Sequence, residues 1–343
     1  MRIFFVSRGR HPTDGGIERQ NFELSHALVE SGEVIRIRNF FGRLLLPIFF
    51  IYSFFFLLCR MKRGDVLLLG DAVLAPLAAA VRFFHPASRA VCIVHGLDVL
   101  FAKRRGMVPR VYRTVMLPSL KRCHLLIAVS HATNDIIREM KVSVPTEIIP
   151  NGINDAWHDP SISRRDLEQL LGRQLGDRKI ILKTGRYVAR KGSVWFLEHV
   201  APSLPDDAFI VFAGAHRVMG GTGDADEYEA CKHVITEKHW GDKVVLLTNV
   251  SDEALRVLYN TADIYIMPNI SVPGTIEGFG ITALEAASCG VPVVASRLEG
   301  ITDAVSESGG GTLVPAGDSE AWSNTLRALL ADGDRRKRLG SEA

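Results

Sequence analysis

Cysteine is scarce in this sequence and has no pattern. Five are spread over 343 residues, at positions 59, 92, 123, 231 and 289. The number is odd, and no Cys-x-x-Cys or Cys/His cluster occurs, so neither a disulfide framework nor a zinc site is indicated. A reducing compartment, the cytoplasm, fits that usage. Fifteen prolines against thirty glycines exclude a collagen-like chain. No repeat of 20–50 residues is present. A Gly-x-Gly-x-x-Gly is missing after the first strand candidate, Arg2–Val6, which argues against a dinucleotide-dependent dehydrogenase. No Asp-x-Asp stands near a strand end to hold a divalent ion. That first apolar run is also too short for a secretory leader.

What is present divides by charge. Residues 1–150 carry 21 Lys and Arg against 11 Asp and Glu, and residues 151–343 carry 20 against 27. A basic half and an acidic half suggest different partners for each. One apolar run needs a decision: 44–59, sixteen uncharged residues bounded by Arg43 and by Arg60, Lys62 and Arg63. As a helix it measures about 24 Å, short of the roughly 30 Å hydrocarbon core. A buried helix between the second and third strands is favoured, with an interfacial membrane contact as the alternative. Pro47 and Ser53 weaken a span further.

The rest of the chain alternates strand and helix. Arg2–Val6, a glycine loop at Gly15-Gly16, a helix with Ile17, Leu24 and Leu28 on one face, and Val34–Ile37 open a βαβ unit. Val66–Leu69, Ala90–Val94 and Leu125–Val129 continue it, and Ile148–Gly152 ends this half. Residues 153–178 read as a polar linker with a short helix. Strands at Ile180–Thr184, Phe209–Ala213, Val244–Leu247, Ile264–Met267, Val291–Ala295 and Gly311–Val314 form a second series. Such alternation implies an α/β protein with parallel sheets covered on both faces. Two Rossmann-like, doubly wound domains facing a cleft are expected, over 1–155 and 165–343.

The most informative stretch is Glu277-Gly-Phe-Gly-Ile-Thr-Ala-Leu-Glu285, read as a helix from about Gly280 to Gly290 and followed by a strand. Glycines let backbone approach a ligand closely, and a helix N-terminus suits a diphosphate. The two carboxylates on either side suit hydroxyl groups, ribose at Glu285 and sugar at Glu277.

At these residues the chain resembles the retaining GT-B glycosyltransferases of the large group-1 family, family 4. Gly185-Arg186 with Lys191-Gly192 resembles the element in which an Arg and a Lys neutralise the donor diphosphate. Ala128-Val-Ser-His131 and Pro150-Asn-Gly-Ile-Asn154 resemble landmarks at the end of the first domain. Two places depart from the family: Ala213–Gly223 in place of Gly-x-Gly-Pro, and Arg297-Leu-Glu-Gly300 in place of a glycine pair. The family's closing helix, which crosses back onto the first domain, would begin about where this chain stops, at Arg338–Ala343.

The resemblance implies transfer of a sugar from a UDP- or GDP-sugar to a hydroxyl acceptor, with retention and without a divalent metal. That is a hexosyltransferase needing no cofactor beyond its nucleotide-sugar co-substrate. It implies catalytic roles for His95, Glu277, Arg186 and Lys191. It implies donor binding by Gly16, Gly185, Gly278, Phe279, Gly280, Ile281, Thr282 and Glu285 as well. Gly15, Gly16, Arg19 and Asp98 would face the acceptor. A sugar-nucleotide epimerase and an inactive glycan-binding relative remain open alternatives. Lys103, Arg104, Arg105, Arg110, Arg113, Lys121 and Arg122, interleaved with apolar residues, point to an anionic membrane surface, the inner face of the plasma membrane. They also point to a lipid-linked or acidic acceptor of the kind used in cell-envelope polysaccharide. No nucleic-acid partner is implied.

Overall fold

The structure, a computed structural model, describes residues 1–9, 16–30, 32–39, 45–216 and 226–342. The chain divides into two compact units, Met1–Ile153 with Gly274–Phe279 and Asn154–Pro273 with Gly280–Ala343.

The first unit holds β1 (Ile3–Ser7), β2 (Val34–Arg38), β3 (Val66–Leu69), β4 (Arg89–Val94), β5 (Leu125–Ala128) and β6 (Thr146–Ile148). They form one parallel sheet in the order β2-β1-β3-β4-β5-β6. The chain winds outward in both directions from β1, so the switch point lies between β1 and β3. The short edge strand β6 was not anticipated; it pairs Thr146 to Ile148 with Leu126 to Ala128.

Two helices of this unit differ from expectation. The helix Gly16–Glu30 forms where its pattern places it, but it buries Gln20, Asn21 and Ser25 and leaves Ile17, Leu24 and Leu28 half-covered. The reason lies at the end of β3, where the Asn21 amide donates to the carbonyl of Gly70 at 3.1 Å. The inner face therefore meets backbone polar groups as well as apolar sheet. The helix Leu46–Arg60 follows β2, but buries only Phe49, Ser53 and Leu57. A helix packed by one stripe covers one position in about four, and this one is apolar on its outer side too.

The second unit holds β7 (Lys179–Thr184), β8 (Ala208–Gly214), β9 (Val244–Thr248), β10 (Ile264–Met267), β11 (Val293–Arg297) and β12 (Thr312–Pro315). Their parallel order is β12-β11-β10-β7-β8-β9, with the switch point between β7 and β10. All seven positions of β8 and all four of β10 are buried, as strands covered on both faces require. Against this sheet Trp322 packs edge-on to Phe196, which in turn meets Phe212. The helix Arg164–Leu171 in the linker begins where the Asp166 carboxylate accepts from the Ser163 amide at 2.7 Å, and ends at Gly172 with φ 64°.

Candidate active site

In the second unit the predicted residues gather at the switch point. β7 ends at Thr184, and Gly185 (φ 114°) turns the chain into Arg186, which is exposed. A short turn then brings Lys191 back. It is buried, and its Nζ would lie 3.8 Å from a Cβ built on Gly185, so the ammonium rests on the strand end. Gly192 (φ 65°) is required next, because a Cβ there would fall 1.9 Å from the carbonyl oxygen of Pro268, just beyond β10.

Gly280 (φ 98°) begins the helix Ile281–Ala287, shorter than the Gly280–Gly290 span read from the sequence; the rest is a turn through Gly290. Ile281 and Thr282 are half-buried in its first turn, whereas Glu285 is buried. Glu285 is held from behind. Tyr259 Oη donates to its Oε2 at 2.7 Å, and Thr184 Oγ1 contacts both Tyr259 Oη at 2.7 Å and Tyr265 Oη at 2.8 Å. An ionised carboxylate only accepts, which fixes every proton in this chain. Tyr265 donates to Thr184, Thr184 to Tyr259, and Tyr259 to Glu285, so each bond polarises the next. Burial, and then the Glu285 charge, push the Tyr259 phenol far up, which keeps it a donor. Neither tyrosine nor Thr184 was singled out in the sequence; each reads there as ordinary strand or helix filling.

In the first unit the ends of β3 and β4 carry a second polar cluster. His95 is buried, and its Nε2–H donates to the Gly70 carbonyl at 3.0 Å, which fixes the neutral tautomer and leaves the lone pair on Nδ1. The same carbonyl takes the Asn21 amide. Asp98, expected to face an acceptor, is turned inward. It accepts from the backbone amides of His95 (3.1 Å), Val99 (3.0 Å) and Ala72 (3.0 Å), so it braces the loop that presents His95. Arg8 pairs with the fully buried Asp71 at 2.7 Å. Complete burial pushes the Asp71 carboxyl up, and Arg8 opposes it. Arg8, Asn21, Gly70 and Asp71 were missed because they come together only in the fold, up to 63 residues apart.

Glu277, Gly278 and Phe279 pack with this first unit, while Gly280 onward packs with the second. Gly278 lies directly on His95: a Cβ there would stand 2.2 Å from the His95 carbonyl oxygen. Ile276 beside it is part of the first unit's core. The structure thus brings Gly278 to His95, with Glu277 next to it in the chain, and Gly185, Lys191 and Glu285 to one sheet end of the other unit. Gly16 begins its helix, exposed, and Arg19 is half-buried one turn on. Gly15 lies outside the described residues, as do 217–223 of the departing Ala213–Gly223 stretch.

Of the basic residues, Arg104, Arg105, Arg110, Arg113, Lys121 and Arg122 are exposed; Lys103, also exposed, forms an ion pair with Glu139. Arg104 donates to the Gly274 carbonyl at 3.3 Å. Among the described residues no helix is long and apolar enough to cross a membrane.

Two doubly wound parallel sheets, each with polar residues at the carboxyl ends beside its switch point, define a protein of the GT-B fold. Residues 172–343 match the model of the glycosyl transferases group 1, and residues 31–157 that of glycosyltransferase family 4. The chain belongs to this family of glycosyltransferases. The D-inositol 3-phosphate glycosyltransferase of Xylanimonas cellulosilytica is 34% identical over 203 residues, 57% of this chain and 45% of that protein. A GDP-mannose-dependent α-(1-6)-phosphatidylinositol monomannoside mannosyltransferase of Mycolicibacterium smegmatis is 28% identical over 276 residues, 78% of this chain and 67% of that protein. The chain therefore spans roughly half to two thirds of these relatives' length. Among solved structures, sucrose-phosphate synthase from Thermosynechococcus elongatus superposes with a TM-score of 0.78 at 21% identity, over 99% of this chain and 92% of that one. Anabaena HepE in complex with UDP and glucose superposes with a TM-score of 0.76 at 20% identity, over 100% and 93%. At such identities the likeness is one of fold.

Proposed function

We propose that the protein transfers a hexose from a UDP- or GDP-sugar to a hydroxyl of a lipid-linked or otherwise anionic acceptor, with retention and without a divalent metal. The observation that carries this reading is the end of β7. There a buried ammonium rests on the Gly185 backbone, an exposed guanidinium follows that glycine, and a buried, hydrogen-bonded carboxylate stands in the same unit. Lys191 and Arg186 supply fixed positive charge for a leaving diphosphate, and Glu285 accepts from ribose hydroxyls. In the reaction the bond from the sugar C1 to the diphosphate oxygen breaks and the acceptor oxygen bonds to C1 on the same face. The acceptor proton passes to the departing phosphate. The Lys191 ammonium, held at the strand end before the reaction begins, stabilises the developing charge with little reorganisation, an effect that supplies several kcal/mol in such sites, and Arg186 adds a second cation beside it. Glu277 holds hydroxyls of the transferred sugar, and His95, with its free Nδ1 lone pair, accepts from one of them. The acidic excess of the second half leaves the basic first half as the side for an anionic acceptor. Similarity to a phosphatidylinositol mannoside mannosyltransferase supports an acceptor of that chemical class.

A panel of UDP-, GDP- and ADP-sugars tests this, scored by thermal shift and by slow hydrolysis, with the product anomer read by NMR. Arg186→Ala should lower kcat/KM by roughly 10²-fold in the preferred donor. A folded variant with unchanged kinetics, or isomerised donor with no glycoside, would overturn the reading.

A further inference from the structure

Exposed apolar side chains are distributed very unevenly over this molecule. Among the described residues fifteen large apolar side chains are exposed, and only Leu170 belongs to the second unit. Eleven of the fifteen lie on three helices of the first unit or at their caps. Ile48, Ile51 (60% exposed), Tyr52 and Phe55 (56%) form a stripe at i, i+3, i+4 and i+7 along the helix Leu46–Arg60. The helix Pro76–Phe84 packs against it and ends in exposed Phe83 and Phe84. The helix Met107–Leu120 packs against Pro76–Phe84 in turn and exposes Met107, Val111 and Val115. Between the first two helices runs an apolar groove lined by Phe54, Leu57, Val81 and Phe84. Contiguous exposed apolar surface of this kind marks a docking site.

The charge around it identifies the occupant. Residues 45–122 carry twelve Lys and Arg, and all twelve are exposed. The same stretch has three acidic residues, Asp65, Asp71 and Asp98, and all three are buried. Asp65 is paired with Arg2, Asp71 with Arg8, and Asp98 is taken up by backbone amides. The surface of this stretch is therefore of one sign. Aliphatic and aromatic side chains set among cations that outnumber carboxylates, with Lys103 paired to Glu139, match a layer with acyl chains beneath anionic headgroups. A nucleic acid would satisfy the cations and leave Ile51 and Phe55 without partners.

We propose that the helix Leu46–Arg60, with Phe83 and the outer face of Met107–Leu120, docks in the plane of an anionic lipid bilayer. Fifteen residues make about 22 Å of helix, too short to span a roughly 30 Å core, so the stripe lies in the interface with its apolar side chains inserted. Arg60, Lys62 and Arg63 at its exit, and Arg110 and Arg113 on the third helix, meet the headgroups. This deepens the proposed function by naming the surface that carries a lipid-linked acceptor, and it rests on that reading only for the acceptor.

Vesicle flotation separates the parts. The protein is mixed with vesicles of phosphatidylglycerol and phosphatidylcholine, or of phosphatidylcholine alone, in salt from about 0.1 M to about 1 M, where the screening length falls from ~10 to ~3 Å. Binding to anionic vesicles is expected, weakened by salt and not abolished. Ile51→Ser with Phe55→Ser should lower the partition by about tenfold or more and remove the salt-resistant part. Its melting temperature and its affinity for free UDP or GDP should not change, since both side chains are exposed and neither belongs to the nucleotide site. No binding to anionic vesicles, or equal binding by the double variant, would overturn the proposal. So would a parent protein that is dimeric in solution and becomes monomeric in the variant, because the face would then be a contact between copies. Nucleotide affinity is read separately, so failure of the glycosyltransferase reading shows as lost donor binding with vesicle binding intact.

Discussion

Lys183 offers a direct test of how the second sheet is held. It is the penultimate residue of β7, 2% exposed, with its ammonium 5.3 Å from the ring centre of Phe212 and 5.7 Å from that of Tyr187. No carboxylate among the described residues pairs with it. Burial, and then the charge of Lys191, push its pKa down from 10.5 to about 8. Below pH 8 both folded and unfolded states keep the proton, and the full penalty of burying the charge is present. Between pH 8 and 10.5 the unfolded chain holds more protons than the folded one, so stability rises with pH through that window. The shift corresponds to a penalty on the order of 3 kcal/mol at pH 7. Lys183→Met keeps the volume and removes the charge. Its melting temperature at pH 7 should exceed the parent's by about 6–12 °C for a unit of this size. The gap should narrow as pH rises from 8 toward 10.5. Melting curves of both proteins across pH 7–10 measure it, and the difference between them cancels the titration of other groups. A variant that melts at or below the parent at pH 7, or a gap that does not change with pH, would refute the reasoning.

Three further outcomes are expected. Tyr259→Phe keeps the ring against Trp157 but removes the donor to Glu285, so the Kd for the free nucleoside diphosphate should rise about tenfold by calorimetry; Tyr265→Phe, two links away, should change it less. Gly278→Ala places a Cβ against the His95 carbonyl, and transfer should fall by roughly 10²-fold while nucleotide Kd is nearly unchanged; loss of nucleotide binding instead would show that Glu277 and His95 are not sugar-side groups. EDTA-treated protein should retain its activity, and recovery by Mg²⁺ or Mn²⁺ of activity lost on chelation would disprove the metal-free mechanism.

The strands were legible because both faces of each sheet are covered, which writes them as apolar runs such as Phe209–Ala213 and Ile264–Met267. β6 was not, because two partly covered residues on either side of the exposed Glu147 at a sheet edge leave no such run. Gly185 and Lys191 were legible because a glycine and charges follow the end of a buried strand, and Glu285 because it closes the Glu277-Gly-Phe-Gly pattern. Asn21 and Tyr259 were not, since a polar residue on a helix and an aromatic residue in a helix are each common without any site. The helix Leu46–Arg60 shows the limit most clearly. A helix apolar on every side carries no periodicity, so its sequence does not tell which face is covered. Asp98 shows another: a carboxylate beside a histidine reads as chemistry, and only the fold reveals that backbone amides saturate it.

The hexapeptide Gly274–Phe279 has a consequence for anyone who cuts or recombines the chain. Its Ile276 fills part of a core otherwise built from residues before 154, and its Gly278 lies against the carbonyl of His95. A fragment ending at Ile153 would lack that apolar plug and open the core beside Gly96. A chimaera joined near residue 154 would bring the hexapeptide of one parent to the histidine loop of another. Exchange of halves between relatives should therefore carry Gly274–Phe279 along with the N-terminal half, as a separate graft inside the other.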